Sequence, residues 1–194
     1  KQTIIVLGSG TYRIGSSVEF DYCSVKCMQT LRELGYHTIM INYNPETIST
    51  DFDESDKLYF EELTFEKVAD IYEKEKAYGV IVSMGGQEPN NIALKLHKYG
   101  INVLGTSPES IDNCEDRYKY SSLLDELEIN QPAWITAQNK DDINTFVEKV
   151  DFPVIVRPSY VLSGAAMRII YNNESLEKCL NDASDISPDH PVVL

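Results

Sequence analysis

The chain has 194 residues, 42% of them apolar and 25% charged, which suits a soluble globular protein of one large or two small domains. Seventeen basic against 31 acidic residues give a net charge of −14, shared as −7 over residues 1–113 (10 basic, 17 acidic) and −7 over residues 114–194 (7 basic, 14 acidic). Neither part carries the basic footprint that nucleic acid or an anionic membrane demands.

Residues 1–113 alternate short apolar strands with amphipathic helices. The patterning predicts strands at Ile4–Leu7, Thr38–Ile41, Gly79–Ser83 and Asn102–Leu104, with helices over Ser16–Leu34, Phe65–Lys74 and Asn90–Tyr99. A βαβ series of β-branched strands predicts a parallel, doubly wound α/β sheet whose ligand-facing loops follow the strands' carboxyl ends. Those loops are Gly8–Gly15, Asn42–Thr47, Ser83–Asn90 and Gly105–Glu109.

From Cys114 the pattern changes. A helix is expected over Cys114–Leu127, an extended segment from Pro132 to Ile135, a helix over Asp141–Val150 and a strand after Pro153. Met167–Tyr171 is expected to pair with that strand as a hairpin, Ser175–Ser184 to be helical, and Val192 to begin a last strand. The chain enters its first strand directly from Lys1-Gln2-Thr3, without a signal peptide, and has no run of 18 apolar residues. It therefore looks soluble and cut out of something longer.

Cys23, Cys27, Cys114 and Cys179 contain no CxxC pair and are expected to be reduced, buried thiols of a cytosol-like compartment. His37, His97 and His190 show no metal-binding spacing. The acids at 51, 53, 54 and 56 lack the glycine and terminal glutamate of a calcium loop and are expected to form a solvated turn.

Gly8, Gly10 and Gly15 follow a first strand and open a helix, but the third glycine comes too late for a dinucleotide fingerprint, and Asn42 and Asn44 stand where an acidic residue belongs. A tight strand-to-helix turn is the simpler reading. Arg13, beside Gly15, could hold an anion or pair with Glu19 or Asp21. Glu115 and Asp116 place acids at a helix start, where the dipole favours them.

The stretch Phe152–Ala166 carries the strongest chemical signal. Val154–Val156 reads as a buried strand that delivers Arg157 at its end, and a planar fork of donors suits phosphate oxygens. Ser163-Gly164-Ala165-Ala166 has little side-chain bulk, so its backbone N–H groups can approach an anion closely. An ordinary strand and turn with a surface arginine fits these residues equally well.

Leu7-Gly8-Ser9-Gly10, Arg13-Ile14-Gly15, Glu19-Phe20-Asp21-Tyr22, Asn42–Thr47, Gly85-Gly86-Gln87, Gly105-Thr106-Ser107-Pro108, Glu115-Asp116-Arg117 and Val156-Arg157-Pro158-Ser159 form an ordered set. Together they closely resemble the large subunit of carbamoyl-phosphate synthetase, over essentially the whole chain. Asn44-Pro45-Glu46-Thr47 and Ser159–Met167 look like the second of that subunit's two synthetase halves, which forms carbamoyl phosphate from carbamate and ATP.

The resemblance implies a Rossmann-like pre-ATP-grasp domain, residues 1–113, followed by the first part of an ATP-grasp domain, residues 114–194. It implies ATP with Mg2+ or Mn2+, and K+, in a full-length ligase of pyrimidine or arginine biosynthesis. Arg117 and Arg157 match the family's nucleotide-contacting arginines, and Ser163 and Gly164 its phosphate-loop pair; Ser163 replaces a glycine common there. Arg13 and Glu19 fall where the family lines a tunnel for carbamate.

The family's metal ligands and adenine clamp would lie downstream of Val192, so no catalytic or metal-binding residue is expected within the chain, and the chain alone is expected to be inactive. Implied partners are a glutaminase subunit or domain and the other synthetase half, with fusion to a transcarbamylase as a variant. The implied location is cytoplasmic, with mitochondrial as the alternative. A different ATP-grasp carboxylase, such as a biotin carboxylase relative, is the rival enzyme; a non-catalytic interaction or oligomerisation module is the rival class.

Overall fold

The computed structural model describes residues 1–11, 18–137, 140–158, 167–176, 178–179 and 192–193. These fall into two compact units, Lys1–Ile111 and Asp112–Leu194.

The first unit is built on a five-stranded sheet in the order β3-β2-β1-β4-β5. Its strands are β1 Thr3–Leu7, β2 His37–Ile41, β3 Lys57–Tyr59, β4 Gly79–Ile81 and β5 Val103–Leu104, and every pairing is parallel. Strand alternation divides the core between the two faces. Ile5 and Leu7, with Ile39, Ile41 and Val80, meet α2 (Phe65–Glu75) and α3 (Gln87–Lys98) through Val68, Ala93 and Leu96. Ile4 and Val6, with Met40, meet α1 (Val18–Glu33) through Val25, Met28 and Leu31. Helices on both faces explain why these strands read as continuous apolar runs.

Three local features differ from the sequence expectation. Strand β3 occupies the sheet edge, where a strand of three residues beginning with Lys57 carries almost no apolar signal. Helix α3 starts at Gln87, three residues before the predicted start. Pro89 is accommodated because it lies in the first turn, where its missing N–H has no helical partner to lose. The single helix expected over Cys114–Leu127 is instead two, α4 (Pro108–Glu115) and α5 (Arg117–Glu126). Asp116 breaks it: its backbone is extended and its carboxylate accepts from Lys119 N at 3.0 Å, capping a new helix.

The second unit has a four-stranded sheet in the order β6-β9-β7-β8, from β6 Thr136–Ala137, β7 Val154–Pro158, β8 Arg168–Ile170 and β9 Val192–Val193. The expected hairpin is present, with Val154 opposite Ile170 and Val156 opposite Arg168. Helix α6 (Lys140–Val150) presents Ile143, Phe146, Val147 and Val150 at helical spacing. They pack with Val154, Val156 and Ile170, the second unit's own core.

All four cysteines are free, but only Cys179 is buried; Cys23 and Cys114 are exposed and Cys27 is partly covered. The expectation of buried thiols thus holds only at Cys179: Cys27 is partly covered, Cys23 faces outward from α1, and Cys114 lies in α4, near the end of a helix whose only buried residue is Pro108.

Candidate functional site

At the carboxyl ends of β1, β2 and β4, the place where a doubly wound sheet ordinarily binds its ligand, the described loop residues pack on one another. Buried Asn42 accepts from Gly10 N at 3.0 Å through Oδ1 and donates to Ser49 Oγ at 3.0 Å through Nδ2. Tyr43 donates its hydroxyl to the Glu88 carboxylate, 3.1 Å to Oε2. Burial, then the charge of Glu88, push the Tyr43 phenol above its ordinary range.

The glycines serve close packing. A Cβ on Gly85 would overlap the Gly8 carbonyl, and one on Gly10, at φ 68°, would overlap the Glu88 carboxylate. A carboxylate against the turn at Gly10 is the opposite of what a pyrophosphate needs there. Asp21 is also committed: its oxygens accept from Ile48 N and Ser49 N, both at 3.1 Å.

The second unit contains a cavity of about 720 Å³. Arg117, Tyr120, Ser121 and Leu124 of α5 form one wall, the Gln131–Trp134 segment another, and Phe146, Val150 and Pro153-Val154-Ile155 close it. Its aromatic wall is fixed by one carboxylate. Asp125 accepts from Gln131 Nε2 at 2.7 Å and from Trp134 Nε1 at 3.1 Å, and Gln131 also donates to Ser121 O at 2.7 Å. Tyr118 meets the Trp134 ring edge-on, with centroids 5.8 Å apart.

Of the residues singled out in the sequence, Arg117 is half-buried, opens α5 and lines this cavity. Arg157 belongs to β7, in register with Val193, two positions beyond the cavity-lining Ile155. Glu19 is exposed in the first turn of α1. Arg13, Ser163 and Gly164 lie outside the described residues. Sequence reasoning missed Trp134, Tyr120 and Phe146; the only available signal was that Trp134 is the sole tryptophan of the chain.

Comparison with known proteins gives the family. The model of the carbamoyl phosphate synthase preATP-grasp domain matches residues 1–113, and that of the carbamoyl-phosphate synthase L chain ATP binding domain matches residues 116–192. The chain belongs to the carbamoyl-phosphate synthase large-chain family.

The arginine-specific large chain of carbamoyl phosphate synthase from Eremothecium gossypii is 60% identical over 191 residues, 98% of this chain and 17% of that protein. Multifunctional protein URA2 of Saccharomyces cerevisiae is 56% identical over 98% of this chain and 9% of its own length. The chain thus spans less than a fifth of the length of either relative. In fold it is similar to the biotin carboxylase domain of Hydrogenobacter thermophilus 2-oxoglutarate carboxylase, solved with MgADP and bicarbonate. That match has a TM-score of 0.72 at 16% identity and covers 99% of this chain and 43% of that one. The carbamoyl-phosphate synthase family therefore rests on sequence, and the likeness to a biotin carboxylase on shared architecture alone.

Proposed function

We propose that this stretch supplies a pre-ATP-grasp domain, residues 1–113, and the first part of an ATP-grasp domain, residues 114–194, to a ligase that uses ATP to phosphorylate carbamate. The observation that carries the reading is the 60% identity to a carbamoyl phosphate synthase large chain over 98% of the chain. In this reading the nucleotide is held by the second unit, with Arg117, Arg157, Ser163 and Gly164 as its contacts.

The residues present fit a nucleotide. A cavity of about 720 Å³ lies in the size range of small-molecule sites. Trp134, Tyr120 and Phe146 offer apolar and aromatic surface for a base, and Arg117, at the first position of α5, adds its guanidinium to the positive end of a helix dipole. Mg2+ would accompany the polyphosphate and neutralise it. Among the described residues no three His, Cys, Asp or Glu side chains gather as a cation site. No metal ligand is therefore assigned, and no role is given to K+ or Mn2+. Arg13 and Glu19 as carbamate-tunnel residues rest on loop position alone.

The remaining parts of the proposal belong to the longer protein: a glutaminase that provides ammonia, the other synthetase half, and fusion to a transcarbamylase. The word multifunctional in the name of the Saccharomyces relative supports the last. Over 194 residues alone, turnover is expected to be absent and nucleotide to bind only weakly, because the adenine clamp and metal ligands would lie downstream.

Trp134 makes the test direct, because the only tryptophan of the chain lines the proposed pocket. Titration with MgATP is expected to give a saturable change in its emission. Arg117→Ala and Arg157→Ala are each expected to weaken that binding about tenfold to hundredfold, the loss of roughly 1.5–3 kcal/mol of charge-assisted hydrogen bonding. Unchanged affinity in both variants would remove the arginines from the nucleotide site.

A further inference from the structure

The cavity wall that carries Trp134 also carries an amide whose direction is decided by its neighbours. Gln131 is half-buried and lines the cavity. Its Nε2 has two protons, and two acceptors take them: Ser121 O and Asp125 Oδ1, each at 2.7 Å. Turning the amide over would set Gln131 Oε1 against a carbonyl oxygen and a carboxylate, leaving three acceptors face to face. Asp125 is itself held in place, because its second oxygen accepts from Trp134 Nε1 at 3.1 Å. The amide therefore has one orientation. Both of its donors are spent on the protein, and the carbonyl Oε1 is left as its polar atom for anything that enters the cavity.

A fixed acceptor beside aromatic surface selects among flat heterocycles by what they carry at the edge. Arg117 opens α5, and Ser121, which anchors Gln131, lies one turn further along that helix, about 6 Å by its rise. We infer that Gln131 Oε1 accepts a hydrogen bond from the exocyclic amine of a nucleotide base, and that Asp125 is the positioning residue that keeps the amide from turning. The inference rests on reading this cavity as the nucleotide site: phosphates at Arg117 leave the base to Trp134 and Gln131. Adenine, with an amine at C6, finds a partner there. Hypoxanthine and guanine, with a carbonyl at C6, set oxygen against oxygen and leave the acceptor unpaired. Because Gln131 is only half-buried, water softens that penalty, and this one contact is expected to discriminate about tenfold to hundredfold.

The test uses the full-length protein and the reverse of the proposed reaction, in which carbamoyl phosphate gives its phosphoryl group to MgADP or MgIDP and leaves carbamate. The quantity read is the ratio of kcat/KM for ADP to that for IDP, expected to be about tenfold or more in the unaltered protein. Gln131→Leu keeps the bulk and removes the acceptor. It should lower kcat/KM for ADP about tenfold while that for IDP holds or rises, so that the ratio collapses. In Asp125→Asn the new amide can donate as well as accept, so Gln131 is free to turn, and the ratio should fall several-fold. Damage to packing would lower both substrates together and leave the ratio alone, and circular dichroism checks that each variant is folded. A ratio unchanged in Gln131→Leu would remove Gln131 from base recognition with the proposed function intact. Absence of transfer to either nucleotide in the unaltered protein would overturn that function, and this inference with it.

Discussion

The carboxyl end of the first unit's sheet and the cavity of the second unit use similar residues for opposite purposes. In the first, glycines let loops touch: Gly85 lies against the Gly8 carbonyl, and Gly10 against Glu88, so the described parts of these loops close on one another. In the second, bulk and hydrogen bonds hold walls apart. Asp125 fastens Gln131 and Trp134 beside α5 and leaves about 720 Å³ between that wall and the start of β7. A glycine-rich strand end is therefore no evidence of a phosphate loop until its neighbours are known; what matters is whether anything already fills the space a Cβ would take.

Gly85→Ala is the strongest way to break this contrast. The added methyl meets backbone, which cannot rotate aside, so the strand ends must separate. Stability is expected to drop by about 3 kcal/mol or more, at the upper end of overpacking costs. Urea denaturation followed by circular dichroism measures it, and a near-native midpoint would mean that the loops do not touch.

The second unit is tested by Asp125→Ala. Removal of the carboxylate leaves Gln131 and the Trp134 indole without their shared acceptor, a loss of about 1–2 kcal/mol at a half-exposed site. Its sharper signature is spectroscopic: the sole tryptophan should show a red-shifted, more quenchable emission, and MgATP should bind more weakly. Unaltered emission would show that the wall is held by packing alone.

These two regions differ as much in legibility as in chemistry. Strands β1 and β2 were readable because burial on both faces makes them unbroken apolar runs. The closed loop end was half readable: the late third glycine and Asn42 argued against a dinucleotide loop, but nothing local announces that Glu88, some 78 positions after Gly10, fills the turn. The break at Asp116 was misread because Glu115 and Asp116 suit a helix's first turn as well as its cap. The cavity was invisible, since α5, the Gln131–Trp134 segment and β7 are separated in sequence and only pairing and packing bring them together. Arg157 was marked by its place at the end of an apolar strand before a small-residue loop, whereas Arg117 was found through family resemblance alone.

The smallest effect concerns how carboxylates brace the first unit. At the edge of its sheet Asp56 accepts from Thr38 N at 2.8 Å and Thr38 Oγ at 3.0 Å, with His37 Nδ1 at 3.5 Å and Arg32 Nε at 4.0 Å. The Thr38 amide first, and then its hydroxyl and the neighbouring His37 and Arg32, hold the Asp56 carboxyl below its ordinary value of 3.8, although partial burial opposes them. A depressed folded-state pKa means that the unfolded chain takes up the proton first as pH falls. The stabilisation is therefore complete above the unfolded-state value and disappears as pH drops through the folded-state one. Asp56→Asn should cost about 1 kcal/mol near neutrality, in the range of a single hydrogen bond to a charged group at a partly exposed site, and nothing at the acid end. The difference between the two proteins should thus close as pH falls through the ordinary aspartate value of 3.8 and below it. It should close in circular dichroism of the first unit while the emission of Trp134, in the second, stays the same in both. A gap that persists into acid would assign the role of Asp56 to its shape, with its charge irrelevant.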